Sequence, residues 1–360
     1  MARNLIDKAF TRNVFFSYGA QALKIGLGFA WMTVLTKSAG IGLYGMVALL
    51  TSLSGLLTNF LSFRTNEAVV KFYKRGEHEH APGLCRLALV AGLSLDLAVA
   101  LLIFGLVRLL ADPVADALLK DPRAAAAVGA YAWVVSITFI RGTGVGLLTA
   151  QEKFKVVNVL SVVEQAIKLA LLIVVIQLGI PLSLETVIWI IVASAAVVTA
   201  LIAARPFVEL LGRLRHVSVP GGEFPQYARF SLSTFVSSTL KVGNQNVDTM
   251  ILGFLTDPTK VGIYSLFRQF LNPLTIAVGP FYEQIYPRFV KAVASDETAA
   301  VRHTIHQTNK LLSKWSALLL AGIVPITIAY AWYIHLRPSA NYVAAFLFMA
   351  GSAWLVQRLW

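Results

Sequence analysis

Lys24 and Lys241 are the residues of this chain whose positions most need a chemical reason. Lys24 lies ten residues into an apolar run over 14–36 and Lys241 eleven residues into a run over 230–255, so at the helical rise each sits ~15 Å deep. An ammonium group there costs at least ~2.5 kcal/mol, and a lysine at that depth cannot extend to the interface. Two cations facing a water-filled cleft would instead meet one anionic group from both sides. Arg141 and Arg268 lie about two turns from the ends of their own runs, and each either lines that cavity or reaches the interface. Glu164 and Lys168 are one turn apart, so Lys168 is either half of an i, i+4 pair or a substrate contact. Asp96 reads as a counter-ion to one of these cations.

A second chemistry belongs to Lys241-Val242-Gly243-Asn244-Gln245-Asn246-Val247-Asp248, where one glycine and three amides stand between a lysine and an aspartate. Such a segment must line protein or water. It is either a static polar seam between helices or a place where the helix unwinds, and then Asp248 with Asn244 or Asn246 offers oxygen ligands for Na⁺ or a protonatable carboxylate. The prolines Pro273, Pro280 and Pro287, with Gly279 and Glu283, predict a repeatedly bent helix after it.

The elements that position these residues are membrane-spanning. With 57% hydrophobic and 14% charged residues and a mean hydropathy of +0.70, the chain belongs to the membrane class. Ten apolar runs are long enough to span, at 14–36, 41–63, 84–110, 124–149, 156–178, 184–204, 230–255, 261–287, 311–334 and 341–359. Each must be helical, because lipid satisfies no backbone hydrogen bond. The first run is too long for a signal peptide and is retained. A net charge of +13 does not mark a nucleic-acid binder, since the basic residues lie in short loops and not on a folded polar face. The single cysteine, Cys85, excludes an internal disulfide. His78/His80 and His303/His306 read as solvated loop residues, not metal ligands.

Seventeen Lys and Arg residues occupy the N-terminus and every second loop, against five in the alternate loops, which predicts a cytoplasmic N-terminus. Val114 to Lys120, between Asp112-Pro113 and Asp121-Pro122, predicts a turn of interfacial helix. No polar loop is long enough for a soluble catalytic domain.

The chain also uses one pattern twice. Leu23-Lys24-Ile25-Gly26 corresponds to Leu240-Lys241-Val242-Gly243, and the turn Leu35 to Tyr44 to Leu255 through Tyr264, at offsets of 217 and 220 residues. The predicted fold is therefore an all-α polytopic membrane protein of about ten helices in two parallel, pseudo-symmetric halves. Its parts are a six-helix bundle over 1–204, a proline- and glycine-rich cytoplasmic linker over 205–228, and a bundle over 229–360 with four helices. Adding the offset to residue 204 places the end of a full second half at about residue 420. The chain therefore reads as ending within that half, or the half has lost two helices.

Several stretches resemble one family. The pattern Leu-Thr-x6-Gly-x-Tyr before a long helix, Phe63 through Tyr73, Gln151-Glu152-Lys153-Phe154 and Asn246-Val247-Asp248 look like the polysaccharide-export branch of the multidrug/oligosaccharidyl-lipid/polysaccharide exporter superfamily. The resemblance implies a transporter whose two bundles form a V-shaped cleft, without enzymatic activity or cofactor. It would flip an undecaprenyl-diphosphate-linked oligosaccharide (an O-antigen, capsule or exopolysaccharide unit) across the bacterial inner membrane by alternating access, coupled to H⁺ or Na⁺. Its partners would be membrane lipids, the lipid-linked oligosaccharide, and glycan polymerases or glycosyltransferases. Substrate-binding residues would be Lys24, Lys241, Arg141, Arg268 and Lys168, with ion coupling at Asp248, Asn244 and Asn246. A flippase for a lipid-linked peptidoglycan precursor and a cation-coupled multidrug exporter share the expected fold. A polytopic polymerase or glycosyltransferase would show catalytic carboxylates or a sizeable outer loop, and neither is found.

Overall fold

The computed structural model describes residues 8–219, 221–241 and 246–276, together with 325, 327 and 329. Every regular element among them is helical. The runs 311–334 and 341–359, apart from those three residues, and Asn244, Gly279, Pro280, Glu283 and Pro287 lie outside the described residues.

Helix α1 (Lys8–Leu61) joins the first two predicted spans and is interrupted at Gly40, whose φ of +85° and ψ of +163° leave the helical region. A side chain there would be strained, so the Gly in the predicted turn has a backbone reason. Next come α2 (Thr65–His78), α3 (Pro82–Leu109), α4 (Ala111–Ala117), a 3₁₀ turn (Pro122–Ala124), α5 (Ala125–Ile140), α6 (Gly142–Ala150), α7 (Phe154–Gln177) and α8 (Leu184–Leu211). A second 3₁₀ turn (Gly221–Glu223) leads to α9 (Phe224–Lys241), α10 (Val247–Leu255) and α11 (Pro258–Ile276). Among the described residues, five stretches are long and apolar enough to cross a membrane: Phe16–Leu61, Pro82–Leu109, Pro122–Ala150, Phe154–Gln177 and Leu184–Leu211. The predicted interfacial turn is α4, shifted a few residues toward the N-terminus.

The predicted span 124–149 is divided into α5 and α6, parted at Arg141. Within the run 230–255, α9 ends at Lys241 and α10 starts at Val247, with 242–245 outside the described residues. Asn246, at φ +75°, starts α10 from the left-handed region. Asparagine tolerates that conformation better than most residues.

One helix was not expected. The 64–83 connection, read as a polar loop, contains α2, which buries Thr65, Ala68, Val69, Phe72, Tyr73 and Gly76 on one face. That face shares a core with Leu84, Leu87, Ala88 and Leu89 of α3, with Leu147 of α6, and with Leu214 and Tyr227 from the 205–229 segment. Each large apolar side chain buried from water contributes ~1.5–3 kcal/mol. The 205–229 segment is further fastened by Tyr73 Oη, which donates to Glu209 at 2.9 Å. Arg75 pairs with Glu223 at 3.2 Å, and Arg86 donates to the carbonyls of Arg215 and Val217. Burial, with Glu209 beside the phenol, pushes Tyr73 up to about 12.

Two compact units divide the chain, one formed by 30–263 and the other by 1–29 with 264–360. Within the larger unit the two copies of the repeated turn meet. A Cβ on Gly45 would lie 1.8 Å from the Pro258 carbonyl oxygen, and one on Gly262 would lie 2.3 Å from that of Ile41. Glycine lets these backbones touch, the device that packs helices closely where no water drives association. In the smaller unit the Phe29 and Phe270 rings lie 4.7 Å apart between α1 and α11.

Candidate functional site in the interrupted helices

The division between α5 and α6 organises a polar centre inside the larger unit. A helix interrupted at membrane depth must find new partners for its freed backbone groups. Here the Thr143 N–H, in the first turn of α6, donates to Asp96 of α3 at 2.6 Å. The second Asp96 oxygen accepts from the Thr65 hydroxyl of α2 at 2.5 Å. Gly142 permits this closeness, since a Cβ there would lie 2.5 Å from Thr65 Oγ1 and 2.9 Å from Asp96 Oδ1. Asp96 is only 4% exposed. It adjoins a cavity of about 90 Å³ lined by Thr58, Ser62, Thr65, Asn66 and Thr138.

On the other side of the break, Arg141 makes a two-pronged ion pair with Glu164 of α7. Nη1 meets Oε2 at 2.8 Å and Nη2 meets Oε1 at 3.3 Å, with both side chains about one-fifth exposed. The fork geometry is what guanidinium offers and ammonium does not. One turn along α7, the Lys168 ammonium stands 4.7 Å from the centre of the buried Trp31 ring. This cation–π contact is worth ~0.5–2 kcal/mol depending on desolvation.

These contacts correct two expectations. Arg141 is not an isolated cavity cation, because Glu164 neutralises it; the acid expected to serve Lys168 serves Arg141. Asp96 has no cationic partner among the described residues; its partners there are a hydroxyl and a backbone amide. The arginine and its carboxylate are 23 residues apart, and a spacing of four residues on one helix is the only kind of pair that periodicity displays.

The remaining candidates fall elsewhere. Lys24 is half-buried on α1 and Arg268 half-buried on α11, both in the smaller unit. Lys241 ends α9, and its side chain lies outside the described residues, as does Asn244. Asp248 is exposed in the first turn of α10 and accepts from the Thr249 N–H at 2.8 Å, where a carboxylate also favours the positive end of the helix. The Asn246 amide sits against α1, where a Cβ on Gly55 would lie 2.2 Å from its Nδ2. Asn246 stands outside the helical region at the start of α10, and 242–245 lie outside the described residues.

By its helical elements and apolar spans the chain has an all-helical polytopic membrane fold. Solved structures share it. A multidrug resistance MATE family transporter of the MOP superfamily in an inward-facing conformation superposes with a TM-score of 0.68 at 12% identity, over 95% of this chain and 81% of that one. The MATE multidrug transporter DinF-BH gives 0.65 at 12% identity, over 97% and 79%. A MOP superfamily transporter from Pyrococcus furiosus, described by a reversed polarity of its binding pocket, gives 0.56 at 14% identity, over 96% and 75%. No curated protein matches by sequence. Residues 10–293 match the family described as polysaccharide biosynthesis protein, and the chain belongs to that family.

Proposed function

We propose that this transporter flips a lipid-diphosphate-linked oligosaccharide across the bacterial inner membrane by alternating access, with its N-terminus cytoplasmic. The observation that carries the reading is the polysaccharide-biosynthesis family match over residues 10–293. The sign of the intramembrane charge supports it. A diphosphate that enters hydrocarbon loses its hydration and needs cationic, hydrogen-bonding replacements. Lys24 and Lys241 are the proposed pair that meets it, joined by Arg268 and by Lys168. Arg141 holds α7 to the α5–α6 junction and acts on the substrate only through that placement. Asp248, with Asn244 and Asn246, is the proposed coupling site for H⁺ or Na⁺. Glycan polymerases and glycosyltransferases are the expected neighbours along the biosynthetic route.

A second reading, export of cationic drugs, draws on the multidrug transporters that share the fold. The two differ in the charge of the cargo. In cells that depend on the protein for surface glycan, Lys24→Ala and Lys241→Ala should each abolish display while membrane insertion persists. Undiminished display would reject the assignment, and loss of resistance to cationic dyes with normal glycan would favour the exporter.

A further inference from the structure

Asp96 is a carboxylate that neither the substrate reading nor the Asp248 coupling site uses. An ionised carboxylate buried without a counter-charge is costly. The two donors at 2.5 and 2.6 Å offset part of that cost, and charge strengthens both bonds. The bond to Thr143 is the tie between α3 and the first turn of α6, at the point where the span is divided.

No charged side chain is in contact with Asp96 among the described residues. From α2, Arg64 and Glu67 pair with one another at 2.8 Å. At the α5–α6 junction the Arg141 guanidinium goes to Glu164. From α4, Asp112 and Asp116 make no recorded contact with it, and α8 contributes no recorded charged contact either. The Tyr227 phenol of α9 is the titratable group that senses its charge.

We infer that Asp96 is a proton-binding site, and that its protonation releases the first turn of α6 from α3. The cavity beside it exceeds the ~10–15 Å³ that one water needs, and its lining of Thr58, Ser62, Asn66 and Thr138 can hydrogen-bond water that delivers the proton. A proton fits better than a metal cation, because a cation needs several oxygen ligands, whereas the groups on the two Asp96 oxygens are a hydroxyl donor and a backbone N–H. Neutralising the carboxyl weakens its bond to the Thr143 amide, and the junction of α3 with α6 loosens. This site is independent of the identity of the cargo.

The test is hydrogen exchange of the α6 amides in the full chain in lipid nanodiscs, compared at mildly alkaline and mildly acidic pH after correction for intrinsic rates. Acidification should speed exchange over 142–146 about tenfold, the loss of one charged hydrogen bond. Asp96→Asn should exchange fast at both pH values, and Glu164→Gln should keep the pH response. A flat wild-type profile, or a pH response retained in Asp96→Asn, would overturn the inference. So would protection of α6 by sodium chloride at fixed pH that Asp96→Asn abolishes, since that marks a cation site. Infrared difference spectra of the wild type alone provide a second measurement that needs no variant. Proton uptake should produce a buried carboxylic C=O band that shifts in D₂O, and its absence would overturn the proposal.

Discussion

Removing Glu164 while keeping Arg141 should leave a guanidinium without its carboxylate at membrane depth. Breaking a fully buried pair from one side costs about 3–5 kcal/mol. These side chains are about one-fifth exposed, so the expected cost of Glu164→Gln is nearer about 2–3 kcal/mol. Arg141→Gln should cost a similar amount, since it strands the acid. Replacing both with apolar residues, as in Arg141→Met with Glu164→Leu, removes both charges from a low-dielectric site and should cost less than either single change. The assay is a double-mutant cycle on thermal unfolding in nanodiscs, followed by tryptophan fluorescence. Each single variant should melt about 4–12 °C lower than the wild type, with a coupling energy of about 2 kcal/mol or more. Additive shifts would show that the two-pronged contact carries no energy of its own and would refute the pairing.

Gly45→Val and Gly262→Val should each disrupt folding, because the added Cβ would fall 1.8 and 2.3 Å from backbone carbonyl oxygens. Gly26→Ala, with nothing within 4 Å, should be neutral or gain up to ~1 kcal/mol of helix propensity; monodispersity in detergent reads all three. The Tyr73 phenol, pushed up from 10 to about 12, has its folded value above its unfolded one. The stability it contributes is present below about pH 10 and lost as pH rises through about 12. Tyr73→Phe should flatten the melting temperature across that window, and an unchanged slope would contradict the raised value that burial of the phenol produces. Asp248→Asn should remove the dependence of transport on an ion gradient, and an unaltered response to collapsing each gradient would place coupling elsewhere.

Most of the membrane-spanning segments could be read from apolar length alone, because a run of some twenty apolar residues has one structural solution in lipid. The polar stretch before Asp248 left two readings open, a static seam or an unwound helix, because three amides beside a glycine show only that the segment cannot face hydrocarbon. Helix α2 was missed although its signal was present: Thr65, Ala68, Val69, Phe72, Tyr73 and Gly76 recur at helical spacing. The charged residues between them satisfied the expectation of a loop. The break at Arg141 was hidden because Arg141 follows sixteen residues of unbroken α5, and only the approach of Asp96 supplies the freed amide with a partner. Long-range partners of this kind, 23 residues apart for Arg141 and Glu164 and 47 for Asp96 and Thr143, leave no periodic trace in a single sequence. Intramembrane charge was visible residue by residue, whereas which charge cancels which became visible only once α7 was packed.

The most direct test of the central claim is translocation in vesicles of the purified chain. A fluorescent lipid-diphosphate oligosaccharide is placed in one leaflet, and a membrane-impermeant lectin detects its arrival in the other. Protein-dependent movement that Lys24→Ala abolishes is the predicted result. Protein-dependent efflux of a cationic dye from the same vesicles, with no movement of the lipid-linked glycan, would contradict it.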